Sequence, residues 1–383
     1  MKLIFNRQMM SDAVAPLMCA VSNKSTLTAM EGILIDARED GICELTTFDG
    51  VKGMRVVTEA EVSEPGKYII NAQKFVQTLR VMEGDFVTLT VDDKLVACIA
   101  SGKSSHKMNA LSGDDYPEIP KLKTVDGFVI GQAVLKNMLS KVMYAMAAND
   151  PRAVLNGCYF RITEGHLLAV SCDSFKLAKC SADVEIENKN EDGSNLSFSL
   201  IIPTKTVQEL FRLLKDDERE TVRVYLTRRN IVFYIGSMIF FSRLVDGVYI
   251  DFERIILNTH RIFATVNREN LIAALDRAAL VTEEKVAGSV RSHVKLRFEE
   301  DVLQISAVST LGSTYDEVSI DHEGDDLLIA FNNRYLIDSL HASNAERVKI
   351  SMTSALTSIN IEPETPEEGT QELFMLLPVR MKE

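Results

Sequence analysis

A helix followed at once by a hairpin occurs three times in this chain of 383 residues, at near-equal intervals, and no other feature limits its fold as much. In NAQKFVQTLRVME (Asn71–Glu83), Phe75, Val76, Leu79 and Met82 recur at helical spacing, and Gln73, Lys74, Gln77 and Arg80 fall on the opposite side. GDFVTLTVDDKLVACIASG follows, where Val87, Leu89 and Val91 alternate with Thr88 and Thr90, a half-buried strand that turns at Asp92-Asp93. PTKTVQELFRLLKDD (Pro203–Asp217) runs into TVRVYLTRRNIVFYIG, and NNRYLIDSLHAS (Asn332–Ser343) runs into RVKISMTSALTSINIE. Phe75, Val207 and Tyr335 hold equivalent places, 132 and then 128 residues apart. A period of that size in a chain of this length is a triplication.

Each unit also has an earlier helix: FNRQMMSDAVAPLMCAVSN in the first, GQAVLKNMLSKVMYAMAAND in the second, NRENLIAALDRAALVTEEK in the third. These precede the repeated helices by 66–72 residues, with strand patterns between. The expected class is therefore α+β, three similar domains of two helices packed on β-sheets, with bounds at 1–123, 124–259 and 260–383. Pro65-Gly66 is a turn, ENKNEDGSN (Glu187–Asn195) a solvated loop, and Glu299-Glu300-Asp301 the tip of a hairpin.

Composition narrows the function classes. With 46% hydrophobic and 25% charged residues the chain reads as a soluble globular protein. Leu3-Ile4-Phe5 is too short for a signal-peptide core, and no stretch approaches the ~20 apolar residues of a membrane helix. The cysteines (19, 43, 98, 158, 172, 180) lack CxxC spacing and read as reduced thiols in a cytoplasmic protein. SGKSS (Ser101–Ser105) invites a phosphate-loop reading, but the required upstream glycine is Ala97, so a hairpin turn at Gly102 is expected instead. The histidines stand singly, without a partner at helical spacing or a Cys/His set of zinc type. No nucleophile turn of the G-x-S-x-G kind appears. Neither a catalytic site, a metal nor a cofactor is expected.

The net charge of −13 argues against a basic coat, yet the helices offer cations on their polar faces. These are Lys74, Arg80, Lys205, Arg212 and Arg334 from the repeated helices, and Lys136, Lys141, Arg268, Arg277 and Lys285 from the earlier ones. Taken alone they are equally an ordinary wet face, since Glu209 and Asp276 dilute them.

Three α+β repeats in this helix order resemble the bacterial sliding clamp family, the beta subunit of DNA polymerase III. The resemblance covers the whole chain and is carried by NDPRAVLNG (Asn149–Gly157), CDSFKLA (Cys172–Ala178), FSRLVDG (Phe241–Gly247), AFNNRYLIDSL (Ala330–Leu340) and LLPVR (Leu376–Arg380). It implies a ring of two chains joined head to tail, six domains in all, with twelve helices lining a hole for duplex DNA. Cations around such a hole act together on phosphates without reading sequence. The family's DNA-contact positions match Lys24, Lys74, Arg80, Arg152 and Lys205; Ala153 and Val154 stand where the family can carry aromatic groups. Ring closure is placed between a strand at Lys103–Met108, including His106 and Lys107, and one at Ser313–Ile320, with Leu280 and Val281 nearby. Lys103 and Lys107 would face Asp316 and Glu317. The other reading is two separate edge strands protected by charge.

The resemblance further implies a pocket for short peptide motifs on partners. Its matching positions are Leu155, Cys172, Ser174, Phe175, Lys176, Leu177, Ile250, Arg254, Ile255, Asn332, Tyr335, Leu356, Ser358, Met375, Leu376, Leu377, Pro378, Val379 and Arg380. Here the chain departs from the family, whose usual T-D-G-H-R-L run appears as Cys172-Asp173-Ser174-Phe175-Lys176-Leu177, with Ile250 at a frequent proline position. Serine loses glycine's backbone freedom, phenylalanine replaces a hydrogen-bonding ring, and lysine gives up the arginine fork. A preference for a more apolar motif follows. The implied partners are duplex DNA, the polymerase III catalytic subunit, an ATP-driven clamp loader, and other polymerases and repair proteins with clamp-binding motifs. The competing readings are a repeat-built interaction scaffold that does not encircle DNA and, more remotely, an enzyme.

Overall fold

The computed structural model describes residues 1–22, 25–120, 126–282, 285–286, 289–290, 293–309, 312–367 and 369–381. The first repeat runs β1 (Lys2–Asn6), α1 (Arg7–Val14), β2 (Gly32–Ala37), β3 (Ile42–Phe48), β4 (Lys52–Glu59), β5 (Glu61–Glu64), β6 (Gly66–Asn71), α2 (Ala72–Val81), β7 (Phe86–Val91), β8 (Val96–Ser101) and β9 (Ser104–Ser112). The second runs β10 (Asp126–Gly131), α3 (Gln132–Met143), β11 (Gly157–Thr163), β12 (His166–Cys172), β13 (Lys176–Asp183), β14 (Glu185–Ile186), β15 (Phe198–Pro203), α4 (Thr204–Leu213), β16 (Thr221–Leu226), β17 (Asn230–Ile235) and β18 (Met238–Arg243). A short α5 (Phe252–Ile255) leads to the third: β19 (Ile262–Asn267), α6 (Arg268–Thr282), β20 (Lys285–Val286), β21 (Ser289–Val290), β22 (His293–Glu299), β23 (Val302–Ser309), β24 (Gly312–Glu323), β25 (Leu327–Asn332), α7 (Asn333–Ala342), β26 (Arg347–Met352), β27 (Ile359–Pro363) and β28 (Gln371–Leu376).

These elements gather into two compact units that cut through the middle repeat. Unit one comprises Met1–Gln132, Ile186–Asn188 and Arg212–Leu244; unit two comprises Ala133–Glu185, Lys189–Phe211 and Val245–Glu383. Unit one holds a 14-stranded sheet in the order β14-β10-β16-β17-β18-β4-β3-β2-β6-β9-β8-β7-β1-β5. Unit two holds a 12-stranded sheet, β15-β11-β12-β13-β28-β27-β26-β19-β24-β23-β22-β25. Each sheet is fused from two repeats by one antiparallel joint. In unit one β18 pairs β4, from Met238 opposite Val56 to Ser242 opposite Lys52. In unit two β28 pairs β13, from Leu376 opposite Lys176 to Gln371 opposite Ser181.

Strand alternation and helix stripe bury the apolar positions together. In β7, Val87, Leu89 and Val91 are buried while Phe86, Thr88 and Thr90 are not. Phe75 of α2 is fully buried, a contribution of about 2–3 kcal/mol for such a ring. Four helices are entered through an asparagine that closes the preceding strand. Asn6, Asn71, Asn267 and Asn332 accept the N–H of Met9, Lys74, Asn270 and Tyr335 through their side chains.

Those caps set the repeat frame and correct one equivalence. With Asn71 and Asn332 both as caps, the buried counterpart of Phe75 is Leu336, one residue beyond Tyr335; Tyr335 answers to the exposed Lys74. The first helix is also shorter than its pattern: α1 stops at Val14, and Pro16, which cannot donate into a continuing helix, opens a 3-10 turn (Pro16–Ala20). Likewise α3 ends at Met143, and Lys285 lies in β20 and not on α6.

Lys141 is not on a wet face. It is 2% exposed and pairs with Glu372 of β28, itself nearly buried, so α3 is tied to the strand that fuses the second repeat to the third. A buried pair of this kind adds little over an apolar pair of equal size, but breaking it strands a charge. Glu372→Ala is expected to lower unfolding free energy by about 3–5 kcal/mol, and Lys141→Met with Glu372→Leu to recover most of the loss. Urea denaturation of the three proteins checks this; equal midpoints for wild type and Glu372→Ala would refute it.

Candidate functional site

The connection from β12 to β13 is a tight turn built by one carboxylate. Oδ1 of Asp173 accepts the N–H groups of Phe175 and Lys176, each at 3.0 Å, and its other oxygen pairs with the Lys176 ammonium. Ser174 is thereby held at φ +78°, the left-handed region, where a side chain costs about 1 kcal/mol that glycine does not. Lys176 is 6% exposed, and its ammonium lies 4.3 Å from the centre of the Tyr335 ring. Phe175 leans on the same ring at 6.1 Å while remaining 57% exposed. The Lys176 cation is thus consumed by Asp173 and Tyr335, and the wall is aromatic.

Beneath the turn, Leu155, Cys172, Leu177 and Met375 belong to one buried cluster with Tyr249, Phe252 and Ile256, against which Ile250 and Val154 pack. Tyr159 stacks on Tyr249 at 5.0 Å and tilts onto Phe252 at 5.8 Å. Met375 and Leu376 point to opposite faces of β28, so both are buried but only Met375 joins this cluster. Burial pushes the Cys172 thiol above its ordinary pKa, so it packs as a small hydrophobe. The rim is open: Leu356 is 75% exposed, and Ile255, Leu377 and Val379 show about two-fifths of their surface or slightly less. The chain end is pinned by main-chain bonds, Leu377 N–H to Phe175 O at 2.9 Å and Val379 N–H to Ala330 O at 2.7 Å. Asn332 serves as the cap of α7 and Ser358 is buried; Pro378 is half-buried, and Arg254 and Arg380 are exposed, with Arg254 paired to Asp251.

Arg152, read from the sequence as a DNA contact, sits against this turn. Its guanidinium holds Asp150 by two bonds of 3.0 Å and donates to the Ser174 hydroxyl. The Arg152 side chain and then its backbone N–H hold the Asp150 carboxyl below the usual range. Asn156 fixes the same loop through Asp150 N–H and C=O, both at 2.8 Å. Asp150, Asn156 and Asp173 were not singled out in the sequence; a carboxylate two residues before the chain reverses was the available signal. Lys74, Arg80 and Lys205 are exposed on their helices, and Lys24 lies outside the described residues.

The residues expected at ring closure sit on two edges. Ser104–Lys107 of β9, including His106, are exposed and Met108 is half-buried. On β24, Asp316 pairs with Arg277 at 2.5 Å and Glu317 accepts the Tyr315 hydroxyl at 2.5 Å, so both carboxylates already have partners within the chain. Lys103 is exposed in the turn before β9, Leu280 is 80% exposed near the end of α6, and Val281 is half-buried beside it.

Sequence models of the DNA polymerase III beta subunit match the chain end to end: its N-terminal domain at 1–120, central domain at 129–251 and C-terminal domain at 253–378. The chain belongs to the DNA polymerase III beta subunit family. A beta sliding clamp of Staphylococcus epidermidis is 27% identical over 94% of both chains. The DNA polymerase sliding clamp of Bacillus subtilis superposes with a TM-score of 0.92 at 26% identity, and a putative beta subunit from Eubacterium rectale with 0.91 at 25%, each covering 100% of both chains. The function is that of a DNA sliding clamp. Among the described residues no helix is long and apolar enough to cross a membrane.

If Asp173 builds the turn, Asp173→Ala leaves two N–H groups and the Lys176 ammonium unpaired and costs about 2–4 kcal/mol. Asp173→Asn keeps the amide acceptor and costs less. Denaturation midpoints in that order are expected; an alanine variant as stable as wild type would show that the turn forms without the carboxylate.

Proposed function

We propose that two copies of the chain close head to tail around duplex DNA as a six-repeat ring, bounded in each copy at 1–123, 124–259 and 260–383, and hold partners through the cleft around Phe175. The observation that carries this is a count of strand joints. β4 and β13 are equivalent strands, as are β18 and β28, and each chain makes the joint twice. The strand equivalent to β4 and β13 in the third repeat is β24; the strand equivalent to β18 and β28 in the first is β9. Over Gly312–Ser319 β24 pairs with β23, and over Ser104–Asn109 β9 pairs with β8; among the described residues the other edge of each is open. A third joint of the same kind, made between copies, would remove both open edges.

Side chains favour the same joint. A groove of about 610 Å³ between α2 and β9, lined by Lys74, Gln77, Thr78, Val81, His106 and Met108 among others, offers a seat for another copy's Leu280 and Val281. Lys103 and Lys107 would approach Asp316 and Glu317 as members of a network that includes Arg277, since these carboxylates are engaged already. Sedimentation equilibrium is expected to give twice 42.7 kDa, falling to 42.7 kDa for Leu280→Asp. A monomer at every concentration would sink the ring.

For DNA, Lys24, Lys74, Arg80, Arg152 and Lys205 supply phosphate contacts without base readout. Arg152 contributes least, because Asp150 and Ser174 hold its guanidinium. Retention on closed circular DNA with loss on linearisation separates this reading from a scaffold that never encircles DNA. The chain works in the cytoplasm without a cofactor, opened by an ATP-driven loader, and tethers the polymerase III catalytic subunit, other polymerases and repair proteins through their peptide motifs.

At the cleft, exposed Phe175 and Leu356 over a buried apolar floor favour a more apolar peptide than a histidine would. Phe175→His is expected to shift preference toward motifs with a polar residue at the contacted position, by up to about tenfold in relative Kd. Unchanged relative affinities in a titration of both peptides would remove Phe175 as a determinant.

A further inference from the structure

The turn that carries Phe175 is built a second time, in the first repeat. Oδ1 of Asp49 accepts the N–H groups of Val51 at 2.9 Å and Lys52 at 2.8 Å, and its other oxygen pairs with the buried Lys52 ammonium at 2.8 Å. Gly50 has φ +92° where Ser174 has +78°. The Val51 carbonyl accepts the Arg243 N–H at 2.8 Å, as the Phe175 carbonyl accepts that of Leu377 at 2.9 Å. Val51 therefore stands in the place of Phe175, and Arg243 in that of Leu377.

What lies below differs. In the first repeat the hollow is filled: Phe48 stacks on Phe241 at 5.9 Å, and a Cβ on Gly53 would come within 2.1 Å of the Phe241 ring. No deep seat remains, but Val51 is 49% and Leu27 53% exposed. Leu27 precedes the 3-10 turn Thr28–Glu31, whose Met30 methyl lies 3.6 Å from where a Gly50 Cβ would be. The rim is cationic. Arg228 and Arg229 are the exposed tip of the β16–β17 hairpin, and the Arg229 carbonyl accepts the N–H of Leu244, next to Arg243. Among the described residues these three arginines make no ion pair, on a chain of net charge −13.

We propose that the face formed by Val51, Leu27, Arg228, Arg229 and Arg243 is a second docking surface, shallow and cationic, for an extended acidic peptide segment carrying aliphatic side chains. Three guanidiniums without an ion pair favour a polyanion, and the exposed aliphatic groups of Val51 and Leu27 favour a peptide over a phosphate chain. A nucleic acid would leave Val51 and Leu27 wet, and among the described residues no exposed aromatic is placed there to stack a base. The choice of a peptide leans on the peptide reading of the Phe175 cleft through the shared turn, while the charge stands without it.

The test is fluorescence anisotropy of the full chain with a labelled peptide of alternating leucine and aspartate. Binding is expected to weaken about tenfold or more in R228E/R229E/R243E, to weaken in Val51→Asp, and to survive Phe175→Ala. Equal affinity for the wild type and both variants of this face would overturn the proposal. Loss on Phe175→Ala alone would assign the probe to the other cleft, and stoichiometric displacement by oligo-dT would assign the arginines to nucleic acid; either result also overturns it. Failure of the Phe175 cleft to bind any peptide, with the arginine dependence intact, would leave this surface standing.

Discussion

Backbone hydrogen bonding at strand edges is the constraint on which the rest of this molecule depends. Each repeat brings a four-stranded sheet ending in a strand of the β4 kind and a second sheet ending in one of the β9 kind, and every such end is a row of unpaired N–H and C=O groups. The chain settles four of its six ends by fusing repeats, Met238–Ser242 against Lys52–Val56 and Lys176–Ser181 against Gln371–Leu376. That fusion explains why the compact units ignore the repeat boundaries: a hydrogen-bonded joint is a stronger tie than descent from one ancestral unit. It also explains where a cleft can arise. The Asp173 turn leads directly into β13, a joint strand, and the chain end after β28, the other joint strand, folds back onto Phe175.

The elements were legible from periodicity because half-buried strands and one-sided helices print their burial on the sequence; Val87, Leu89 and Val91 are the plainest case. The repeated helix was legible in place but not in frame. Apolar spacing alone cannot choose between Tyr335 and Leu336, since both lie on an amphipathic stripe, whereas the capping bond of Asn332 does. Lys141 shows a second limit. A lysine at a polar position of a helix reads as solvated unless its partner is known, and Glu372 is 231 residues away in sequence. The joint that brings them together is a tertiary fact.

Within the cleft, the positions that the resemblance marks differ in exposure and pairing. Phe175 and Leu356 present surface, whereas Leu155, Cys172, Leu177 and Met375 form a buried floor. Lys176 is a structural cation, spent on Asp173 and Tyr335. The comparison with Asp49–Lys52 separates what the turn requires from what the site adds. Both copies keep the carboxylate, the left-handed second residue and the buried lysine, so these belong to folding. The copies diverge at the outward residue, Val51 or Phe175, and below it, where Phe241 stands in the place of Met375.

A sliding protein also needs its attraction to DNA kept weak and unselective, and the handling of Arg152 illustrates how. Left free, a guanidinium beside the cleft would add a strong, fork-shaped phosphate contact. Asp150 meets that fork with both oxygens and Ser174 accepts a further bond from it, so much of the group's charge is offset by Asp150. Lys74 and Lys205 are, in contrast, compact ammonium groups on flexible stems at exposed helix positions; on the proposed reading they would gain from phosphates without fixing a geometry. With a net charge of −13 over the whole chain, a few such groups would, on that reading, attract DNA locally while the remaining surface repels it. Affinity that is small per contact and indifferent to sequence leaves topology, and not binding strength, to keep the protein on its DNA.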